Sequence, residues 1–341
     1  MDLLSRLLAL MPVAGRLDVR CHFGAPWRLD NPGAGAREIP YHVLLRGEAV
    51  LEDPHGAPLR MTAGDIVLFP GGTPHVLHDG SGATPAAPST RQVDGLTIAT
   101  NEGLGEGVDL LCGRFVLPAV PERLLRDHLP GRLLVHSVVP NDGRTATGGV
   151  RNGNEALRED AVATSRLARL IQLMREEALE QGPASETLVN HLSGALFALT
   201  LRFASHADEP PRGLLALAQR PRLQPALSAM FDEPGKPWTL PELAALCHMS
   251  RATFARHFEE AIGRSASDLL TEIRMALAGR KLAQTSVAIA EIGEAVGYQS
   301  DAAFQRVFKR QVGMTPAQWR ALAKAEAVME PKAGIPTEAK A

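Results

Sequence analysis

The chain of 341 residues has only three cysteines, Cys21, Cys112 and Cys247. They are too few and too scattered for a disulfide framework, so the fold must rest on its apolar core. Long hydrophobic runs are also missing, and none approaches the roughly 18 residues of a membrane span. The opening MDLLSRLLALMPVAG is interrupted by Asp2 and Arg6 and has no basic leader, which argues against a secretory signal. Leu3, Leu4, Leu7 and Leu8 fall instead on one face of a short helix. These absences predict a cytoplasmic chain with no membrane partner. Net charge is scarce too, at −2.

That near-neutrality hides an asymmetry. Residues 1–211 hold 19 Lys and Arg against 25 Asp and Glu, whereas residues 212–325 hold 15 against 10. An acidic front and a basic back predict that the back meets a polyanion. An apolar content of 45% can build a sizeable core, and the length suits two domains.

The front is rich in Gly and Pro, and HVLLRGEAVLED, GDIVLFPGGTPHVLHD and GVDLLCGRFVL read as strands. The polar, Gly-rich stretch Gly80–Gly107 reads as a long loop. The period then changes. Leu157, Ala161, Ala168, Ile171 and Met174 recur at helical spacing, and Gly182-Pro183 stops that helix. A second helix runs from Ser185 to about His206, with Leu188, Leu192, Leu196, Leu199 and Phe203 on one stripe. The pair predicts an αα-hairpin that covers the β-domain and offers surplus apolar surface to a second copy.

The back half repeats itself. Ser250, Phe254, Arg256, Phe258 and Gly263 recur as Ser300, Phe304, Arg306, Phe308 and Gly313. Each copy reads as a helix-turn-helix: a short apolar helix, a turn, a Ser N-cap and a second helix. The Phe pairs at i and i+4 face inward. Arg251, Thr253 and Arg256 lie elsewhere, as do Asp301, Gln305, Arg306 and Lys309. Arg and Gln can bond base edges bidentately, and a capped helix N-terminus suits a phosphate. SASDLLTEIRMALAGRKLAQ reads as one rigid helix holding the two units apart. A duplicated packing bundle explains the Phe residues but not the basic excess or the recurring Arg.

On LAALCHMSRATFARHF and IGEAVGYQSDAAFQRVFKRQVGMTPAQWR, the stretch Pro237–Ala321 resembles the AraC/XylS transcription regulators. The resemblance implies base-reading positions at Ala252, Ala255 and Arg256, and at Ala302, Gln305 and Arg306. It also implies double-stranded promoter DNA as partner, a homodimer, contact with RNA polymerase in an activator, and no enzyme activity.

Gly64, Pro70, Gly72 and His75 fit the second cupin motif, in which a strand and a Pro/Gly turn aim a His into a barrel. The first motif departs from the pattern, since Ala34, Ala36 and Pro40 stand where its His-x-His and Glu belong. What remains is Cys21, His42, His75 and Cys112, with His78 a further candidate. Two thiolates and two imidazoles could hold zinc. Alternatively the two thiols respond to oxidant, with His22 or Arg20 activating Cys21. Each cysteine taken singly reads as a small core residue, and Cys247 stays one because Val296 stands at its repeat position. MDLLSRLLAL, RCHFGAPWRL and LCGRF resemble the RclR-like subgroup that responds to reactive chlorine species. That resemblance implies oxidant sensing through Cys21 and Cys112, with no cofactor required.

The expected fold is α+β. A cupin-like β-barrel with an αα-hairpin occupies 1–206, a linker 207–213, an all-α tandem helix-turn-helix domain 214–325 and a disordered tail 326–341. Two competing readings stand beside oxidant sensing: a regulator taking a small organic effector or a metal in the barrel, and a cupin metalloenzyme.

Overall fold

The structure is a computed structural model that describes residues 2–10, 12–35, 37–93, 95–117, 129–137, 155–180, 184–206, 213, 216–217 and 220–329. The chain divides into two compact units, with the main break between Gln224 and Pro225. Of the segment expected as linker, only Gly213 is among the described residues.

The front unit opens with α1 (Leu3–Leu10), whose Leu3, Leu7 and Leu10 are buried. Eleven strands follow among the described residues: β1 (Ala14–Gly24), β2 (Arg28–Asn31), β3 (Glu38–Arg46), β4 (Glu48–Glu52), β5 (Leu59–Thr62), β6 (Asp65–Leu68), β7 (His75–His78), β8 (Pro88–Val93), β9 (Leu96–Asn101), β10 (Gly107–Val116) and β11 (Leu133–His136). They form a seven-stranded sheet, β11-β6-β3-β10-β1-β9-β8, and a four-stranded sheet, β2-β7-β4-β5. Their inner faces share one core that includes Phe23, Trp27, Leu44, Leu51, Met61, Phe69 and Leu77.

The Gly80–Gly107 stretch is not a plain loop. It holds the antiparallel pair β8 and β9, and β9 joins β1 in parallel. Gly95 (φ +84°) makes the turn between them. β8 is exposed along almost its whole length, so it carries no apolar alternation for a sequence reading to find.

Two long helices complete the unit, α2 (Glu155–Glu180) and α3 (Ser185–His206). On α2, Leu167, Ile171, Met174 and Ala178 are buried, while the side chains of Leu157 and Ala161 lie outside the described residues. On α3 the buried stripe is Val189, Ser193, Leu196, Phe197, Thr200, Leu201 and Ala204. It is rotated from the expected one, and Leu188 is exposed. The reason is steric. α3 lies so close to β1 that a side chain on Gly15 would collide with Ser193. Small residues therefore hold the contact. Ser193 and Thr200 satisfy their hydroxyls on the carbonyls of Val189 and Leu196.

The back unit is helical: α4 (Gln224–Asp232), α5 (Leu240–Leu246), α6 (Arg251–Ile262), α7 (Ala266–Gln284), α8 (Ile289–Ala295), α9 (Asp301–Val312) and α10 (Pro316–Met329). Thr239/Glu242 and Ser265/Asp268 form capping boxes that start α5 and α7. The last helix runs to Met329, past the expected start of the tail, and 330–341 lie outside the described residues. Phe304, Phe308 and Trp319 pack with Ile292 and Leu282 in the second helix-turn-helix, where the Trp319 indole donates to the Gly279 carbonyl. Phe254 and Phe258 fill the same places in the first and are fully buried.

Candidate sensor site and nucleic-acid interface

Strand register assembles the sensor site. β10 lies between β1 and β3, and Cys112 is directly opposite His42 on β3 and Val19 on β1. Cys21 is one diagonal step along β1, on the same inward face. A β-bulge between Leu17 and Val19 puts an extra residue, Asp18, on β1. Before the bulge, Gly15 and Leu17 face the helical hairpin, and the Leu17 amide donates to Asn190 of α3. After it, Cys21 and Phe23 face the barrel core. The second cupin turn delivers His75 at the start of β7, and the Phe69 ring stacks on it at 3.6 Å between centroids.

The polar atoms form a chain. Cys112 Sγ lies 3.1 Å from His42 Nδ1, and Cys21 stands diagonally across from it in the same core cluster. His42 Nε2 is 2.7 Å from His75 Nε2, and His75 Nδ1 is 2.8 Å from the Thr73 carbonyl oxygen. Cys21, His42, His75 and Cys112, expected to converge, are thus brought together. All four are buried, and both thiols are free.

The electrostatics keep the site neutral at rest. Burial, with the neighbouring His75, pushes the His42 imidazole down to about 3. Burial also lowers His75, opposed by its bond to Thr73 and the charge of Asp53. The hydrogen bond with Cys21, and then burial, raise the Cys112 thiol well above its ordinary value.

The geometry does not fit the zinc expectation. Cys112 and His75 engage opposite nitrogens of the His42 ring, so one ion cannot bind all three in this arrangement. Among the described residues, no group of three or more His, Cys, Asp or Glu is placed to hold a metal. His78 does not join either. It sits on the other face of β7, 3.4 Å from Glu52. The expected activators of Cys21 are also turned away. His22 is exposed, and Arg20 forks onto Asp109 at 2.9 and 3.2 Å. An open cavity of about 480 Å³ reaches the site at His75, with Asp30, Glu52, Asp53 and Pro74 around it. Thr73, whose carbonyl ends the chain, was signalled in the sequence only by its place in the Gly-Thr-Pro turn.

In the back unit, the Ser250 hydroxyl accepts from the Thr253 amide and Ser300 from Ala303, so both N-caps form as expected. Arg251, Ala252 and Arg256 are exposed on α6, with Thr253 and Ala255 half-buried. On α9, Asp301, Ala302, Gln305, Arg306 and Lys309 are exposed. Gln305 donates to Asp301 at 2.7 Å, which braces the side chain on the helix surface. The connecting α7 has 19 residues and spans about 28 Å at 1.5 Å per residue. Cys247 ends α5 as a buried core residue whose thiol is raised by burial.

Two family models match the chain, a cupin model over residues 2–147 and a helix-turn-helix domain model over residues 243–322. The RCS-specific HTH-type transcriptional activator RclR of Escherichia coli is 27% identical over 94% of this chain and 97% of its own. The chain is an AraC/XylS-family regulator with an N-terminal cupin domain. HTH-type transcriptional regulator MtrA of Neisseria gonorrhoeae is 27% identical over 94% of this chain and 98% of its own. An HTH-type transcriptional regulator of Haemophilus influenzae is 28% identical over the same shares. This AraC-family regulator is therefore a DNA-binding transcription regulator. Among its described residues no helix is long and apolar enough to cross a membrane.

Proposed function

We propose that this regulator is a cytoplasmic, homodimeric transcription activator whose barrel senses a two-electron oxidant of the reactive chlorine type through Cys21 and Cys112. The observation that carries the reading is the thiol pair: two free, buried cysteines, diagonal neighbours on the paired strands β1 and β10 and in one core cluster. The RclR relative, an RCS-specific activator by name, points the same way. No cofactor is needed, and the barrel acts as a sensor and not as an enzyme.

Diagonal neighbours across antiparallel strands stand about 7–8 Å apart, whereas disulfide Cα atoms usually stand about 4.4–6.8 Å apart. Closing the Cys21–Cys112 bond therefore draws β1 and β10 together. The outer face of those strands carries the hairpin, through Gly15 against Ser193 and Phe115 against Phe197. Leu173, Leu179 and Leu188 of the hairpin are each at least 40% exposed, which suits a second copy.

In the back unit, α6 and α9 are the proposed recognition helices in successive major grooves. Arg251, Arg256, Gln305 and Arg306 read bases or phosphates, Lys309 binds phosphate, and Ala252, Ala255 and Ala302 allow close approach to the groove. RNA polymerase is the proposed second partner.

The test is Cys21→Ser in the full chain. It should abolish transcriptional induction by hypochlorous acid and leave binding to the promoter in place. A fully inducible Cys21→Ser protein sinks the redox reading. The open cavity beside His75 favours one other reading, a small organic effector seated at the barrel mouth. Such an effector would still induce the Cys21→Ser protein.

A further inference from the structure

We propose that His42 and His75 form a proton relay that carries the Cys112 thiol proton to the mouth of the barrel, making Cys112 the attacking sulfur and Cys21 the resolving one. The proposal rests on the oxidant-sensing reading above.

The direction of every bond in the chain follows from its end. The Thr73 oxygen is a carbonyl and can only accept, so His75 Nδ1 donates to it at 2.8 Å. A neutral His75 then has a bare Nε2, which must accept. His42 Nε2, 2.7 Å away, is its donor. A neutral His42 is left with a bare Nδ1, and the group 3.1 Å from it is the Cys112 thiol, which donates. Cys112 has spent its one proton on His42, so its sulfur lone pairs are left facing the neighbouring Cys21 thiol. Each link holds one proton, with no two lone pairs facing each other. The burial that keeps both imidazoles neutral is what makes this order unique.

Such a chain can shift as a unit. The Cys112 proton moves to His42 Nδ1 while the His42 Nε2 proton moves to His75 Nε2. Cys112 becomes a thiolate, His42 is neutral again in its other tautomer, and His75 becomes the imidazolium. His42 never carries the charge, which its burial forbids. His75 can carry it. It borders the open cavity, keeps its bond to Thr73 and has the Asp53 carboxylate nearby. The Cys21 thiol stays beside the new thiolate on the neighbouring strand. A relay is required because the thiolate is the nucleophile, and a buried Cys112 holds its proton firmly. Of the two sulfurs, Cys112 belongs to the residue with residual exposure, 8% against 0% for Cys21.

The reaction balances with hypochlorous acid as the oxidant. The Cys112 thiolate gives an electron pair to chlorine, the S–Cl bond forms, the O–Cl bond breaks and hydroxide leaves. The proton parked on His75 converts hydroxide to water, and the relay resets. Cys21 sulfur then attacks Cys112 sulfur. The S–S bond forms, chloride leaves, and the Cys21 proton passes to water. Two thiols are oxidised and one chlorine is reduced to chloride.

The experiment uses the reduced full-length protein and stoichiometric hypochlorous acid, with the Cys21–Cys112 bond followed by quenched alkylation and peptide mass mapping. The wild type should form that bond. His75→Gly should slow it by roughly a hundredfold, the scale of a lost general base. Added imidazole, entering by the open cavity, should restore much of the rate. His42→Gln should be as slow and should not be rescued, because position 42 is buried. Imidazole rescue separates a relay from a merely structural role. Nitrogen-15 spectra of the wild type supply a check that needs no variant: His42 should carry its proton on Nε2 and His75 on Nδ1. A His75→Gly protein that closes the bond at the wild-type rate overturns the relay and leaves the redox reading standing. The opposite tautomers do the same. A wild type that forms no Cys21–Cys112 bond overturns both.

Discussion

Acid should weaken the barrel through His42, and the size of the effect can be worked out. His42 is pushed down to about 3 by burial and by its neighbour His75, against an ordinary value of 6.5. The sign follows from which state binds the proton. Below pH 6.5 the unfolded chain protonates His42 and the folded chain does not, so stability is lost as pH falls from 6.5 toward 3. One pKa unit is worth roughly 1.4 kcal/mol, so the loss between pH 6.5 and pH 5 is about 2 kcal/mol from His42 alone. His75, also lowered, adds to the loss over the same window. His136 works against it. Its bond to Asp65 raises it, so its contribution is present below 6.5 and fades as pH rises through its folded value. Comparing the wild type with His42→Asn cancels the groups they share. The assay is urea unfolding at pH 7.5 and pH 5.0, followed by fluorescence of Trp27, which lies buried in the barrel core. The variant will be less stable at both pH values, but its drop between them should be smaller by about 2 kcal/mol. Equal drops in the two proteins would show that His42 is not held neutral, and the reasoning from its burial would fail.

Two further outcomes test other parts of the molecule. Arg256→Ala should weaken specific promoter binding by roughly 1–3 kcal/mol in a gel-shift titration; an unchanged footprint and affinity would remove α6 Arg256 from the base-reading set. Gly113→Ala should destabilise the barrel by about 1–3 kcal/mol in thermal unfolding. A Cβ there would lie 2.5 Å from Tyr41 Oη, which bonds Ser193 of the hairpin at 2.9 Å, and an unshifted midpoint would refute the close packing at that contact.

The back half was largely legible because its repeat is local. Ser caps, Phe pairs at i and i+4 and the turns between them are fixed within about twenty residues of sequence, and each formed as read. The cupin turn at Gly64, Pro70, Gly72 and His75 was legible for the same reason. The placing of Cys112 against both His42 and Cys21 was not. It depends on two registers, β10 with β3 and β10 with β1, and the bulge at Asp18 resets the second without a compositional mark. The zinc expectation failed at a still finer level, since residue types alone do not say which nitrogen of His42 faces which partner. The α3 stripe was misread because Ser193 and Thr200 hide their polarity on their own helix and so pass for surface residues. β8 was missed because an exposed edge strand needs no apolar face, and β9, which lies between β8 and β1, buries only Ile98 and Ala99 and so shows no alternation either.

The bulge at Asp18 also sets the limits of transplanting this input to another output. One continuous strand presents Gly15 and Leu17 to the hairpin and, a few residues on, Cys21 to the thiol site. A fusion cut between barrel and hairpin would leave Leu17, Tyr41 and Phe115 without their partners Asn190, Ser193 and Phe197. The smallest portable cassette is thus the whole front, barrel and hairpin together. A chimaera that borrows the barrel alone would inherit the chemistry without its means of expression.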